Sequence, residues 1–195
     1  RQLFISIFLL FILCEVSANL KYSDLKLADV FSDNMVLQQK EKITFWGKGT
    51  PYSMVSVEIQ NERVKVRTDE KGNWLTSLKD LQPGGPYKLK VTSVKDSIIL
   101  SSVYVGEVWL ASGQSNMQLS LVLSNKGKQV SVSAKNKNIH FLMVPQVSCV
   151  DELDKKKMKW EVAVSPKVED MSAIGYYFAE KIQEALNVPV GIICC

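Results

Sequence analysis

Short runs in which apolar and polar residues alternate fill the chain from residue 27 to about residue 102. The clearest of these runs lie at 55–59, 63–67 and 87–92. Alternation with a period of two places apolar side chains on one face of a strand and polar ones on the other. Glycine, proline, asparagine and aspartate separate the runs, at 47–51, 61–62, 69–73 and 83–86. Short strands at this spacing predict an antiparallel β-sandwich, which we assign to residues 19–102.

The pattern changes after residue 102. Apolar runs without alternation, typical of strands buried on both faces of a parallel sheet, lie at 103–111, 138–144 and 189–193. Before the last run, apolar residues recur at helical spacing from Ile174 to Leu186, with Asp170 or Ser172 available as the N-cap. A shorter helix is expected between Met117 and Leu123. Strand and helix in alternation predict the start of a three-layer α/β domain over 103–195. We expect this domain to be truncated, because so short a sheet leaves its edges uncovered.

Residues 1–18 have the pattern of a signal peptide. Arg1 precedes an apolar core at 3–13, and Val16-Ser17-Ala18 offers the small residues of a cleavage site. The apolar core is too short to span a bilayer, which needs about 20 residues. The alternative is a buried segment of the folded domain. We expect a secreted or periplasmic protein with no membrane span once the signal is removed.

Charge and cysteine content exclude some classes of partner and cofactor. The 24 basic residues exceed the 20 acidic ones only slightly, and the basic run at 155–159 is interleaved with acidic residues, which argues against a nucleic-acid partner. Three cysteines follow the signal, Cys149, Cys194 and Cys195, and the sequence leaves their pairing open. No cysteine or histidine pair has the spacing of a zinc site, so we expect neither metal nor cofactor. The oligomeric state is left open.

The segment 113–117, Gly-Gln-Ser-Asn-Met, stands at the carboxyl end of the first buried-type strand. Reactive groups gather at these strand ends in open α/β sheets. A serine at the turn into a helix exposes its hydroxyl, and backbone N–H groups at the helix start can stabilise an oxyanion. The alternative is a plain glycine turn in which Ser115 or Asn116 caps a helix, and local geometry alone favours that alternative.

The wider sequence around this segment resembles a known family. Residues 106–117, Gly-Glu-Val-Trp-Leu-Ala-Ser-Gly-Gln-Ser-Asn-Met, are similar to the first conserved block of the sialate O-acetylesterases, a branch of the SGNH hydrolases. Further similar segments follow the family's order, at 27–39, 45–49, 172–179 and 188–193. The resemblance implies that the α/β part is of the SGNH/flavodoxin-like type. It also implies that Ser115 is the nucleophile and an oxyanion donor, with Gly113, Gln114 and Asn116 shaping the turn.

The same resemblance implies a reaction. A serine esterase of this kind removes O-acetyl groups from sialic acid or another acetylated glycan through an acetyl-serine intermediate. The histidine base and its acid partner belong to later blocks of the family, so we expect the chain to be an N-terminal part that is inactive alone. The alternative function is a non-catalytic β-sandwich that binds a glycan or a protein.

Histidine and tryptophan are two further residue types with possible roles in catalysis or sugar binding. His140, the single histidine, lies in a buried-type strand and is rejected as the base, although histidine is the commonest general base. Tryptophans can serve as sugar platforms, but Trp46 and Trp74 stand in strand patterns and are expected in the core.

Overall fold

The computed structural model describes residues 25–79, 81–147 and 157–195. The predicted signal peptide and Cys149 lie outside these residues. Within them, no helix combines the length and the apolar character needed to cross a membrane.

The described residues form eleven strands and three α-helices. The strands are β1 Lys26–Leu27, β2 Val36–Gln38, β3 Ile43–Lys48, β4 Met54–Ile59, β5 Glu62–Arg67, β6 Asn73–Leu78, β7 Gly84–Thr92, β8 Ser97–Ala111, β9 Ile139–Met143, β10 Trp160–Val162 and β11 Val190–Cys194. The helices are α1 Ser115–Gln118, α2 Gly127–Ser133 and α3 Ala173–Leu186, and 3-10 turns lie at Leu121–Leu123 and Lys167–Asp170.

The strands make one small sheet and one large mixed sheet. The small sheet has the antiparallel order β1-β3-β6. The large sheet runs β10-β9-β11-β8-β7-β4-β5, and β2 pairs with β8 in addition. Its β8-β7-β4-β5 part is antiparallel, while β8, β11 and β9 are parallel. In this parallel part the third strand, β11, lies between the other two, whereas a flavodoxin-like order places the first strand in the middle.

The predicted alternation appears in the strands of the first part of the chain. Val55, Val57 and Ile59 of β4 are wholly buried, as are Leu89 and Val91 of β7. These side chains share one core cluster with Phe45 of the small sheet. The burial follows from the two-residue period, because every second side chain of these strands points into the same cluster.

One strand joins the two parts of the large sheet. β8 is 15 residues long and pairs antiparallel with β7 between Ser97 and Val105. From Glu107 to Ala111 it pairs parallel with β11. The predicted boundary at 102/103 therefore falls inside a continuous strand, and the division into domains stays a prediction.

The helix predicted from apolar spacing forms as α3 and covers the parallel strands. Ser172 is its N-cap, since the Ser172 Oγ accepts a hydrogen bond from the Gly175 N–H at 3.2 Å. Tyr176 and Ala179 pack into a second core cluster with Ile192 of β11. Asn187, in the left-handed conformation at φ +51°, ends the helix.

The expectation for the tryptophans is right for Trp74 and wrong for Trp46. Trp74 is buried, and its Nε1–H donates to the Lys48 carbonyl at 3.1 Å. Trp46 is 43% exposed. Phe45 takes the inward position of β3, so the next side chain along the strand must point outward.

His140 is the second residue of β9 and has no exposed surface. Its ring centroid lies 4.3 Å from that of Tyr104, and neither ring nitrogen has a hydrogen-bond partner of good geometry among the described residues. Burial lowers the pKa of His140 from 6.5 to about 4, and this effect outweighs the opposing one of the nearby backbones of Asn34 and Lys137. The ring is therefore neutral in the folded protein at neutral pH.

Gly106→Ala is expected to lower the free energy of unfolding by about 1–3 kcal/mol, the usual cost of overpacking. A Cβ at position 106 would lie 1.9 Å from the Pro189 carbonyl oxygen, which accepts the Glu107 N–H at 2.9 Å. Urea denaturation measures the change. Gly49→Ala is the control, because its Cβ would meet nothing nearer than 3.6 Å. Equal stability of the two variants would contradict the close approach of β8 and Pro189.

His140 is expected to make the protein less stable in mild acid. As the pH falls below about 6.5 the unfolded ring binds a proton, while the folded ring does so only near pH 4. The free energy of unfolding therefore falls across this window, by at most about 3 kcal/mol. His140→Leu removes the titrating ring but leaves the acidic residues that also titrate there. The difference in unfolding free energy between wild type and variant, followed from pH 7.5 to 4, should grow in the variant's favour. A constant difference would show that the ring is solvated.

Candidate active site

Ser115 lies beyond the carboxyl end of β8, as the first residue of α1. The strand ends at Ala111, and residues 112–114 carry the chain away from the sheet. Ser115 is exposed, as are Gln114 and Asn116 beside it. The structure thus places the predicted nucleophile at a strand-to-helix turn, with its side chain accessible to solvent.

Gln114 is the N-cap residue from which α1 begins, because its carbonyl accepts the first hydrogen bonds of the helix. Its backbone is extended, with φ −114° and ψ −165°, and its carbonyl accepts from the N–H groups of Met117 at 2.8 Å and Gln118 at 3.3 Å. The N–H groups of Ser115 and Asn116 precede the first helical hydrogen bond, so no carbonyl of α1 can accept from them. Donors of this kind are suited to a developing oxyanion.

Glycine is favoured at position 113 by the backbone conformation there, not by a shortage of space for a side chain. Its φ is +159°, at the limit of the region that favours glycine. A Cβ at this position would lie 3.5 Å from the Cβ of Met117, an ordinary van der Waals contact.

The short α1 buries none of its residues and is held by the segment that follows it. The Leu119 carbonyl accepts from the Ala173 N–H at 2.8 Å, and the Leu121 N–H donates to the Met171 carbonyl at 2.8 Å. The Ser172 hydroxyl, which caps α3, also lies 3.6 Å from the Met117 sulfur. The position of Ser115 is therefore tied to the start of α3.

A pocket of about 280 Å³ opens beside α1. Ala111, Met143 and Cys194 reach it from the carboxyl ends of the three parallel strands, and α1 contributes Met117 and Gln118. The remaining lining residues are Val144, Gln146, Ser172 and Cys195. Ser115 lies on the same helix but does not line this pocket. No sequence motif marked the lining residues, although Met143 and Cys194 stand at the ends of predicted strands, where such residues gather.

The described residues supply no histidine to Ser115. His140 pairs in register with Gly191, which in turn pairs with Val108, three positions before the end of β8. At about 3.3 Å per residue, His140 is about 10 Å below the strand ends. Together with its burial, this distance keeps the ring out of hydrogen-bond reach of the Ser115 hydroxyl.

Two cysteines, Cys194 and Cys195, also line the pocket at this site. Cys194 is buried, and burial raises the pKa of its thiol, while Cys195 is exposed at the pocket. Both are free among the cysteines that the structure describes. Within residues 25–79, 81–147 and 157–195, no three histidine, cysteine, aspartate or glutamate side chains are close enough to hold a metal ion.

Comparisons with known proteins agree on one group of enzymes. No family model matches the sequence. The chain is 28% identical over 188 residues to the sialate O-acetylesterase of Homo sapiens, covering 86% of this chain and 36% of that protein. It is 27% identical over 184 residues to the same enzyme of Mus musculus, covering 84% of this chain and 34% of that protein. The chain thus spans about a third of the length of these curated relatives.

A solved structure shares the fold. The crystal structure of a carbohydrate acetylesterase from Xanthomonas citri superposes with a TM-score of 0.80 at 28% sequence identity, covering 87% of this chain and 39% of that chain. The resemblance to the sialate O-acetylesterases that the motifs predict is therefore confirmed over most of the chain, in sequence and in structure.

Proposed function

We propose that the protein is a serine esterase that removes O-acetyl groups from carbohydrates, with Ser115 as its nucleophile. The observation that carries this proposal is the exposure of Ser115 at a strand-to-helix turn, next to a pocket at the ends of three parallel strands. The similarity to acetylesterases over more than four fifths of the chain supports the reaction class. Sialic acid or another acetylated glycan is the proposed substrate.

In the proposed reaction the Ser115 Oγ attacks the carbonyl carbon of the acetyl ester. A new Oγ–C bond forms, the bond from that carbon to the sugar oxygen breaks, and the sugar leaves with a proton as the free hydroxyl. Water then attacks the acetyl-serine, and acetate leaves as the Ser115 hydroxyl is restored. The N–H of Ser115 is the proposed donor to the oxyanion in both steps.

Both steps need a base that moves the proton. His140 is the single histidine of the sequence, and it is buried and out of reach. We propose that the base and its acid partner come from residues beyond the 195 of this chain, and that the chain alone turns over little ester. The parallel strands with α3 are then the start of a three-layer SGNH hydrolase domain, and residues 1–18 are an export signal.

The first test of the proposal is covalent labelling. In the complete natural protein, a fluorophosphonate probe is expected to label Ser115, because the probe reacts with activated serine hydroxyls. Ser115→Ala should fold normally and lose the label, which peptide mass spectrometry can assign. Ser112→Ala is the matched control, since Ser112 is exposed on the same turn and should leave the label in place. Labelling that survives Ser115→Ala would refute the assignment of the nucleophile.

The second test concerns the 195-residue chain alone. Its turnover of p-nitrophenyl acetate is expected to stay near background, because loss of one member of a catalytic triad costs several powers of ten. Ser115→Ala and His140→Ala should both leave that background unchanged. A substantial rate abolished by His140→Ala would mean that this histidine reaches the serine after all. A substantial rate abolished by Ser115→Ala alone would mean that another residue of the chain is the base.

A further inference from the structure

A groove of about 840 Å³ lies on the outer face of the small sheet, and the esterase proposal makes no use of it. It is three times the volume of the pocket beside α1. Strands β1, β3 and β6 form its floor, and the loop residues Asp29 and Asp69 lie on its rim. The groove therefore belongs to the part of the molecule that does not carry Ser115.

The register of the three strands arranges the floor in two rows. Lys26, Lys48 and Asn73 are paired across β1, β3 and β6 and make the polar row. Trp46 and Leu75 are paired across β3 and β6 and make the apolar row. Trp46 and Lys48 are two positions apart on one strand, so they share a face with their Cα atoms about 7 Å apart. A pyranose ring with one substituent spans this distance.

The apolar row presents an exposed aromatic ring in a fixed position. Trp46 is 43% exposed and Leu75 is 64% exposed. The Phe31 ring packs against the Trp46 indole at 4.6 Å and 72°, which limits the rotation of the indole. Exposed apolar groups that line a concave surface with polar neighbours mark binding sites. A flat indole beside hydrogen-bonding groups suits a sugar, because a pyranose has an apolar face of C–H groups and a rim of hydroxyls.

The polar row places two cations side by side. Lys26 and Lys48 are directly opposed across β1 and β3, an arrangement of like charges that destabilises a sheet. Neither lysine forms an ion pair with another described residue. The Asp69 carboxylate accepts hydrogen bonds from the Lys71 and Asn73 N–H groups and from the Asn73 side chain. An anionic ligand would relieve the repulsion between the two lysines.

We propose that this groove is a non-catalytic site for a pyranose that bears a carboxylate, the terminal sugar of an acidic glycan. The ring stacks on Trp46, the carboxylate lies between the ammonium groups of Lys26 and Lys48, and Asp29 accepts from hydroxyls at the rim. The site acts independently of Ser115 and holds a glycan on the protein without breaking a bond in it.

Titration with sialyllactose, which carries no acetyl ester, tests the proposal. We expect the chain to bind it, with binding followed by saturation-transfer NMR, and Trp46→Ala to weaken binding at least tenfold. Trp109→Ala is the matched control, because Trp109 is 44% exposed and lies outside the groove. No binding by the wild type, or an equal loss in the two variants, would overturn the proposal.

A second comparison tests the role of charge. The double variant Lys26→Gln, Lys48→Gln should reduce the affinity for sialyllactose to that for neutral lactose, and it should leave lactose binding unchanged. Equal affinity of the wild type for both sugars would refute the carboxylate site. Ser115→Ala is expected to bind sialyllactose as the wild type does. Loss of binding in Ser115→Ala would place the sugar in the esterase site and overturn the separate groove, whereas failure of the labelling test leaves this result unaffected.

Discussion

β8 exchanges backbone hydrogen bonds with β7 within its first nine residues and with β11 along its last five residues. The antiparallel and the parallel parts of the large sheet are therefore one hydrogen-bonded layer, and Ser115 is positioned by the strand that both share. Gly106 lies between the segment of β8 that pairs with β7 and the segment that pairs with β11. At this position β8 approaches Pro189 too closely for any side chain. The geometry of the site thus depends on a contact several residues below it.

The described residues meet some of the structural requirements of acyl transfer and lack others. An exposed serine, N–H groups at a helix start that no carbonyl of that helix accepts, and a neighbouring pocket are present at the carboxyl ends of the parallel strands. Among the described residues no histidine base stands at this site, because the ring of His140 is buried about 10 Å below the strand ends. This combination fits a chain that spans about a third of the length of its curated relatives.

The groove on the small sheet and the turn at Ser115 suit different tasks. The groove joins an aromatic face to paired cations, which favours holding a sugar without reacting with it. The turn at Ser115 offers an exposed hydroxyl, the proposed nucleophile, and hydrogen-bond donors at the start of α1. An esterase whose substrates are chains of sugars would gain from both, because binding at one site raises the local concentration of esters at the other.

The sequence by itself determined the features that depend on local pattern. The two-residue period located β4 and β7 with their buried faces, the helical spacing located α3, and the segment 113–117 predicted the strand-to-helix turn at Ser115. It did not find α2, whose residues show no clear apolar period, nor the 3-10 turn at Lys167–Asp170. The single helix expected between Met117 and Leu123 is wrong, because α1 ends at Gln118 and a separate 3-10 turn follows at Leu121–Leu123. The prediction that Trp46 lies in the core was wrong. Its apolar character favoured an inward position, but the alternation of the strand places it on the outer face next to the inward Phe45. The tertiary structure alone decided three features: the register of β1 with β3, the length of β8, and the distance between His140 and the strand ends. Each of these depends on contacts between residues far apart in the chain, and such contacts leave no periodic signal in the sequence.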